Sequence, residues 1–563
     1  MPVNIQGFER PISKVFCSDF EFFIPHYQRP YAWTAEEAYS LYDDLLQFMR
    51  EQKDDEGNAA YFLGSIVLIK GAAPAAKVVD GQQRLTTLTI LLAVLRSTMS
   101  DSKVKGNFTN YLYEEGNVIE KTKNRYRLHV RQRDNDFFEK FIQSETGIKQ
   151  LLEADYKDFT DSQRRMLENV KRFNQELLLL EEKERLRFAS FLLQQCHLVI
   201  VTTPDENSAF RIFSVLNTRG QDLLNADILK AEVIGKLPPY EQEEYSRRWE
   251  SAEELLGRRT FDELISHIRT IHRKFKQQKA LLDEIRDAVK PAENPIAFVD
   301  NELTPLANAF SVIRNKSYSS SNGAENINQL FGWLNQIEHS DWIPPALVFL
   351  SLHQNDSAIL SKFFADLERL AVYLMVMRII NNQRVERYGR ITKAIENGDD
   401  LFQENSPLQL STDEQNKLRL NLDSNIYEML SEVRQYILLR LDSYLADSVA
   451  VYQHKRVTVE HVLPQKPKAN SEWLKWYPDE NVRLSWTHKL ANLVLLTRVK
   501  NSQAQTYHFA EKKQKYFNGK DATPFVLTSQ VLATADWTPA VLEKRQQRLI
   551  KNLDEIWRLN VSV

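Results

Sequence analysis

The sequence predicts an α+β protein of several domains, and three observations carry that reading. The first 240 residues alternate β-branched runs with amphipathic segments. From about Pro239 to Asp447 the apolar spacing is almost continuously helical. Near Thr458 the texture changes to strand, long loop, strand and helix, a ββα unit. A length of 563 residues leaves room for more than one core. We expect an α/β module with a helical insertion at 1–240, a helical middle region at 241–447 and the ββα domain at 448–563.

In the first module, Ser65–Lys70 and His197–Thr203 are β-branched runs suited to strands. Between them, from about Asn107 to Gln195, the pattern is charged and helical and reads as an insertion or flank. Its Arg125, Arg127, Arg131 and Arg133 suit a solvated face or a DNA contact. Asp80-Gly81-Gln82-Gln83-Arg84 lies between the apolar Lys77-Val78-Val79 and the periodic segment Leu85–Met99, which predicts strand, tight turn and helix. Such a turn can hold a phosphate, because N–H groups at a helix start point outward and the helix dipole favours an anion there. Arg84 adds a forked donor for phosphate oxygens, and Asp80 suits a metal ion or a water. The same residues also read as a plain strand-to-helix turn, with Gly81 at positive φ and Arg84 solvated.

In the middle region, Glu254–Ala288 and Phe363–Ile380 place apolar residues three and four apart. Breaks fall at Pro291–Pro295, Ser317–Gly323 and Asn397–Asp400. Two basic clusters, Arg258 to Lys279 and Arg378 to Lys393, read either as wet helix faces or as contacts to a DNA backbone.

In the last region, Val457 and Val459 alternate with polar residues and deliver Glu460 and His461 into a loop. Leu493–Leu496 reads as a second strand and Ser502–Phe517 as a helix. The joints carry Glu460, His461, Asn492 and Asn501. Phosphodiester hydrolysis needs a base working near neutral pH, which suits His. It also needs a hard cation on oxygen ligands, such as Mg²⁺ or Mn²⁺. Taken singly, each of these residues also suits a structural or turn role. Trp473, Trp476 and Trp486 crowd the loop between the strands and suit a small core or stacking on an extruded base.

Apolar residues make up 43% of the chain and charged ones 26%, an ordinary soluble balance. A net charge of −3 neither demands nor excludes nucleic acid. No apolar run reaches 18 residues, and Met1–Arg10 lacks a hydrophobic region, so we expect a cytoplasmic protein with no membrane partner. Cys17 and Cys196 are too few for a four-thiolate zinc site or a disulfide framework.

Gln28–Trp33, Phe62–Ile66, Asp80–Leu88 and Phe213–Leu223, followed by Asp227–Lys230, resemble the DUF262 family, itself distantly similar to the ParB nucleotide-binding fold. The resemblance implies a ParB-like NTP-binding sensor domain, using GTP or ATP. Its nucleotide contacts would be Gln28, Arg29, Asp80, Gly81, Gln82, Gln83, Arg84, Asn217 and Arg219. His461–Pro464, Lys489–Leu496, Asn501 and Lys512–Tyr516 resemble the DUF1524 branch of the HNH nucleases, which have a ββα-metal core. That resemblance implies His461 as general base, Glu460 as metal ligand, Asn492 holding the catalytic loop and orienting His461, and Asn501 completing the metal site. His508, seven residues after Asn501 on the same helical face, reads as a reserve ligand, and Lys512, Lys513 and Lys515 suit DNA phosphates. Ala491 departs from the family, which usually has Gly there. The two units in one chain resemble GmrSD-type type IV modification-dependent restriction endonucleases, related to SspE-like phosphorothioate-sensing effectors. The implied protein is an NTP-regulated DNA endonuclease of bacterial antiphage defence, acting on modified phage DNA and able to assemble as a homo-oligomer. A non-cleaving nucleotide-switched regulator and an RNA-directed nuclease are the alternatives.

Overall fold

The computed structural model describes residues 5–25, 28, 30–52, 59–116, 119, 124–157, 159–204, 208–209, 224–446, 457–497, 506–517 and 525–559. The chain forms two compact units, one of Met1–Glu250 with Ala292–Ile296, the other of Ser251–Pro291 with Ala297–Val563.

The first unit is built on a mixed six-stranded sheet. Its strands are β1 (Gln6–Pro11), β2 (Glu21–Phe23), β3 (Tyr61–Lys70), β4 (Ala75–Asp80), β7 (Leu128–His129) and β8 (Cys196–Thr203), and β5 (Tyr113–Glu114) with β6 (Arg125–Tyr126) form a separate pair. The spatial order is β1-β8-β3-β4-β2-β7. β3 and β4 are an antiparallel hairpin, whereas β3 and β8 run parallel. A parallel neighbour needs a long crossover, and the helical stretch between β7 and β8 supplies it. That stretch is part of the core rather than a flank. Phe173, Phe188 and Leu192 from its helices Asp161–Leu178 and Glu182–Gln194 pack in one cluster with Ile66, Val78 and Ile200 of the sheet.

The arginines of the insertion are mostly committed to the protein itself. Arg125 and Arg127 pair with Glu114. Arg131 is buried against Glu250, which also takes the Lys230 ammonium at 2.8 Å. The helix Gln82–Thr98 is buried on nearly every side from Leu85 to Arg96, as a helix enclosed within a domain must be.

The second unit is mainly helical. Ser357–Val376 forms a helix buried from Leu367 to Val376. The two basic clusters are also largely spent within the unit: Arg269 pairs with buried Glu284, Arg384 with Asp341 at 2.7 Å and Arg387 with Glu414 at 3.3 Å. Arg390 and Lys393 line an open groove beside Glu404 and Glu414. β9 (Val457–His461) and β10 (Leu493–Thr497) pair antiparallel, and a helix follows at Phe509–Phe517. Its expected start, Ser502, lies outside the described residues. Trp473 is fully buried beside Trp537, Tyr477 and Tyr516, with Trp476 and Trp486 packed against that cluster, so the tryptophans form the small core expected of them.

Candidate functional site

Three separated sequence blocks of the first unit meet at the start of the helix Gln82–Thr98. Gly81 turns the chain out of β4 at φ +91°. A Cβ there would lie 2.4 Å from Ile66 Cγ2, so only glycine fits. Gln83 is buried and works as a latch. Its Oε1 accepts from the N–H groups of Ala32 at 2.8 Å and Trp33 at 3.3 Å, and its Nε2 donates to the Pro30 carbonyl at 3.0 Å. Gln28 Nε2 donates to the Val79 carbonyl at 3.0 Å. The Tyr31 hydroxyl meets Thr87 Oγ1 at 2.6 Å and accepts from Asn169 at 2.7 Å.

Arg84 Nη1 donates to the Ser65 carbonyl at 3.0 Å, and its guanidinium lies against Gly64. Burial lowers the Arg84 pKa while nearby Asp80 opposes that shift, and the group remains a cation. Asp80, Gly81 and Arg84 are half-buried, whereas Gln82 and Gln83 are buried. Gly81 at the N-cap has no side chain to offer this helix start, and the outward N–H groups together with Arg84 suit an anion. Gln83 and Gln28 serve the scaffold of this turn. Arg29, Asn217 and Arg219 lie outside the described residues.

In the second unit, β9 places His461 opposite Leu493 and Glu460 opposite Val494. Glu460 Oε1 accepts from Lys512 Nζ at 2.7 Å and from the Tyr516 hydroxyl at 3.3 Å. Lys512 Nζ also donates to the His461 carbonyl at 2.6 Å. Burial pushes the Glu460 carboxyl up against the pull of Lys512, and burial likewise draws the Lys512 ammonium down. Lys512, expected at the DNA, is therefore enclosed and engaged with Glu460. Lys513 donates to the Thr534 carbonyl at 2.8 Å, and Lys515 sits 5.7 Å from the Tyr507 ring centre.

His461 is buried, and burial first, then the charges of His488, Lys512 and Arg434, lower its pKa to about 3. The ring is held on both nitrogens. Nε2 lies 3.2 Å from His488 Nδ1, and Nδ1 lies 3.2 Å from Gln465 Nε2. The Tyr427 ring packs 4.1 Å away. Sequence reasoning missed His488, Gln465 and Tyr427. His488 directly precedes the Lys489–Leu496 block, which was the one signal that could have drawn attention to it.

Asn492 is fully buried and makes four side-chain hydrogen bonds. Oδ1 accepts from Leu463 N–H at 2.7 Å and Trp537 Nε1–H at 3.0 Å, and Nδ2 donates to the carbonyls of Leu463 at 3.0 Å and Thr487 at 2.8 Å. It thus clamps the loop after His461 and does not touch the imidazole. Ala491, the departure from Gly, sits in the 3-10 turn Leu490–Asn492, where no positive φ is required. His508 is exposed, 3.5 Å from Glu472. Asn501 lies outside the described residues. Among the described residues no group of three or more His, Cys, Asp or Glu side chains is placed to hold a metal ion. Glu460 is a carboxylate suited to a hard ion, and its Oε1 is already engaged by Lys512 and Tyr516.

Comparison with known families matches residues 12–234 to the N-terminal domain of the GmrSD restriction endonucleases and residues 411–552 to their C-terminal domain. No curated protein matches the chain. Among the described residues no helix is long and apolar enough to cross a membrane. The two matches cover more than half of the sequence in the family's own order, and the chain belongs to the GmrSD restriction endonuclease family.

Proposed function

We propose that this restriction endonuclease cleaves modified phage DNA at His461, under the control of an NTP bound at the Asp80–Arg84 turn. The observation that carries the reading is the enclosed imidazole of His461 at the end of β9, held on both ring nitrogens, with Glu460 preceding it on the same strand. A neutral imidazole can take a proton from water, which is the task of a general base. Asn492 fixes the backbone of Val462 and Leu463, so the ring leaves β9 in one direction. Mg²⁺ or Mn²⁺ on Glu460 and Asn501 would offset charge growing on the phosphate. At the other site, the glycine-led helix start and Arg84 suit the phosphates of GTP or ATP, and Asp80 suits their counter-ion.

The test is cleavage of unmodified, glucosylated hydroxymethylcytosine and phosphorothioate plasmids, each with and without NTP and with Mg²⁺ or Mn²⁺. Wild-type protein should cut a marked plasmid fastest, with a rate that changes on adding NTP, and His461→Ala should not cut. Undiminished cutting by His461→Ala overturns the site. Equal rates on all plasmids, unchanged by any NTP, overturn the control.

A further inference from the structure

We infer that His488 is a positioning residue of the nuclease: its Nδ1 accepts a hydrogen bond from His461 Nε2–H and so leaves His461 Nδ1 as the atom that takes the proton from water. The inference rests on His461 being the base, and it assigns the orienting contact to a residue other than Asn492, whose side chain, among the described residues, bonds to Leu463, Thr487 and Trp537.

The assignment follows from the donor chemistry. Gln465 Nε2 is an amide nitrogen, which donates and does not accept. It lies 3.2 Å from His461 Nδ1, so that atom carries a lone pair. A neutral imidazole has one N–H, which is then on Nε2. Nε2 lies 3.2 Å from His488 Nδ1, which must accept and leaves the His488 proton on its own Nε2. The amide donor on Nδ1 itself requires the neutral ring.

The pair is braced by its surroundings. The Tyr427 ring stacks on His488 at 5.5 Å and 19°, and Tyr427 N–H donates to the His488 carbonyl at 3.1 Å. Arg434 lies 4.3 Å over the Tyr427 ring and donates to the Tyr427 carbonyl at 2.6 Å. A base oriented by a third group is the arrangement that activates a nucleophile.

In the step itself, water replaces the Gln465 amide at His461 Nδ1. An O–H bond of the water breaks and its proton goes to Nδ1. The water oxygen bonds to phosphorus, the phosphorus–oxygen bond to the departing sugar breaks, and that oxygen takes a proton from solvent. His488 Nδ1 holds the Nε2–H of the imidazolium that forms.

The test uses the full chain with ¹⁵N-labelled histidine. In wild type, nitrogen shifts of the metal-free protein should show His461 protonated at Nε2 and bare at Nδ1. His488→Ala should mix the two tautomers and lower kcat by about 100-fold, a typical share for an oriented base, with KM for DNA little changed. His488→Asn, whose Oδ1 can replace Nδ1 as acceptor, should restore the single tautomer and at least tenfold of the lost rate. A rate and tautomer in His488→Ala equal to wild type, or an Asn variant no better than Ala, overturns the inference while an inactive His461→Ala leaves the base assignment standing. Full activity of His461→Ala would instead overturn the underlying reading of the site.

Discussion

Asn492→Ala should unfold the second unit more readily before it does anything to chemistry. The substitution removes an amide that satisfies two buried donors, Leu463 N–H and Trp537 Nε1–H, and two buried carbonyls, those of Leu463 and Thr487. Each buried polar group left without a partner costs about 1–3 kcal/mol. A water entering the small polar hole would recover part of that. The net loss should be about 3–5 kcal/mol, at the upper end for one substitution. Asn492→Asp at neutral pH should do no better. Its carboxylate keeps both donors but turns lone pairs toward the two carbonyls. Acid should partly rescue it, because a protonated carboxyl can donate to one of them. Guanidinium unfolding followed by tryptophan fluorescence measures the loss, since Trp537 and Trp473 lie in this core. Hydrogen exchange at the Leu463 amide should accelerate in parallel. A loss below about 1 kcal/mol together with abolished cleavage would refute the clamp and place Asn492 on the substrate.

Gly81→Ala combines a backbone at φ +91° with a contact to Ile66, which should cost about 1–3 kcal/mol and abolish NTP binding by calorimetry; unchanged binding would separate the turn from the nucleotide. Lys512→Met leaves Glu460 buried beside the Tyr516 hydroxyl without its counter-ion, so guanidinium unfolding near pH 7 should show a loss of about 3 kcal/mol that shrinks as acid protonates Glu460, and a loss constant with pH would contradict that account. Burial, aided by Arg314, holds His267 down to about 4, and burial with Arg384, opposed by Asp341, does the same for His339. Their unfolded forms bind protons below about pH 6.5 and the folded forms do not, so stability should fall as pH drops from about 6.5 to 4. Denaturant midpoints at pH 7 and 5 test the sign, with His339→Gln flattening the slope.

Much of the architecture is legible because it follows from short-range pattern. The β-branched run at His197–Thr203, the strand–turn–helix at Asp80–Arg84 and the paired strands around Glu460 and Asn492 are all where the apolar periodicity puts them. What pattern does not reveal is which partner a polar side chain finds. Gln83 looks like a ligand contact in the sequence, yet its amide is consumed by the backbone of residues 30–33. Lys512 looks like a phosphate clamp, yet its ammonium is enclosed with Glu460, some fifty positions away in the chain. His488 and Tyr427 come to His461 through tertiary packing alone, and no spacing rule connects the three. Nor does a charged helical stretch disclose that Phe173 and Phe188 complete the core of the sheet.

The position of β8 constrains how this protein comes off the ribosome. β1 pairs with β8, and β8 lies between β1 and β3, although nearly 190 residues separate β1 from β8 in sequence. Until Cys196–Thr203 has emerged, Gln6–Pro11 has no sheet partner and one side of Tyr61–Lys70 is an open edge. Non-local pairing of this kind is slow to form, and open edges template association between chains. Nascent chains stalled before Cys196 should therefore depend on chaperones. Fragments truncated there should aggregate, while those extending through Glu250, the partner of buried Arg131 and Lys230, should remain in solution, so the first unit cannot close until an interior strand made late has arrived.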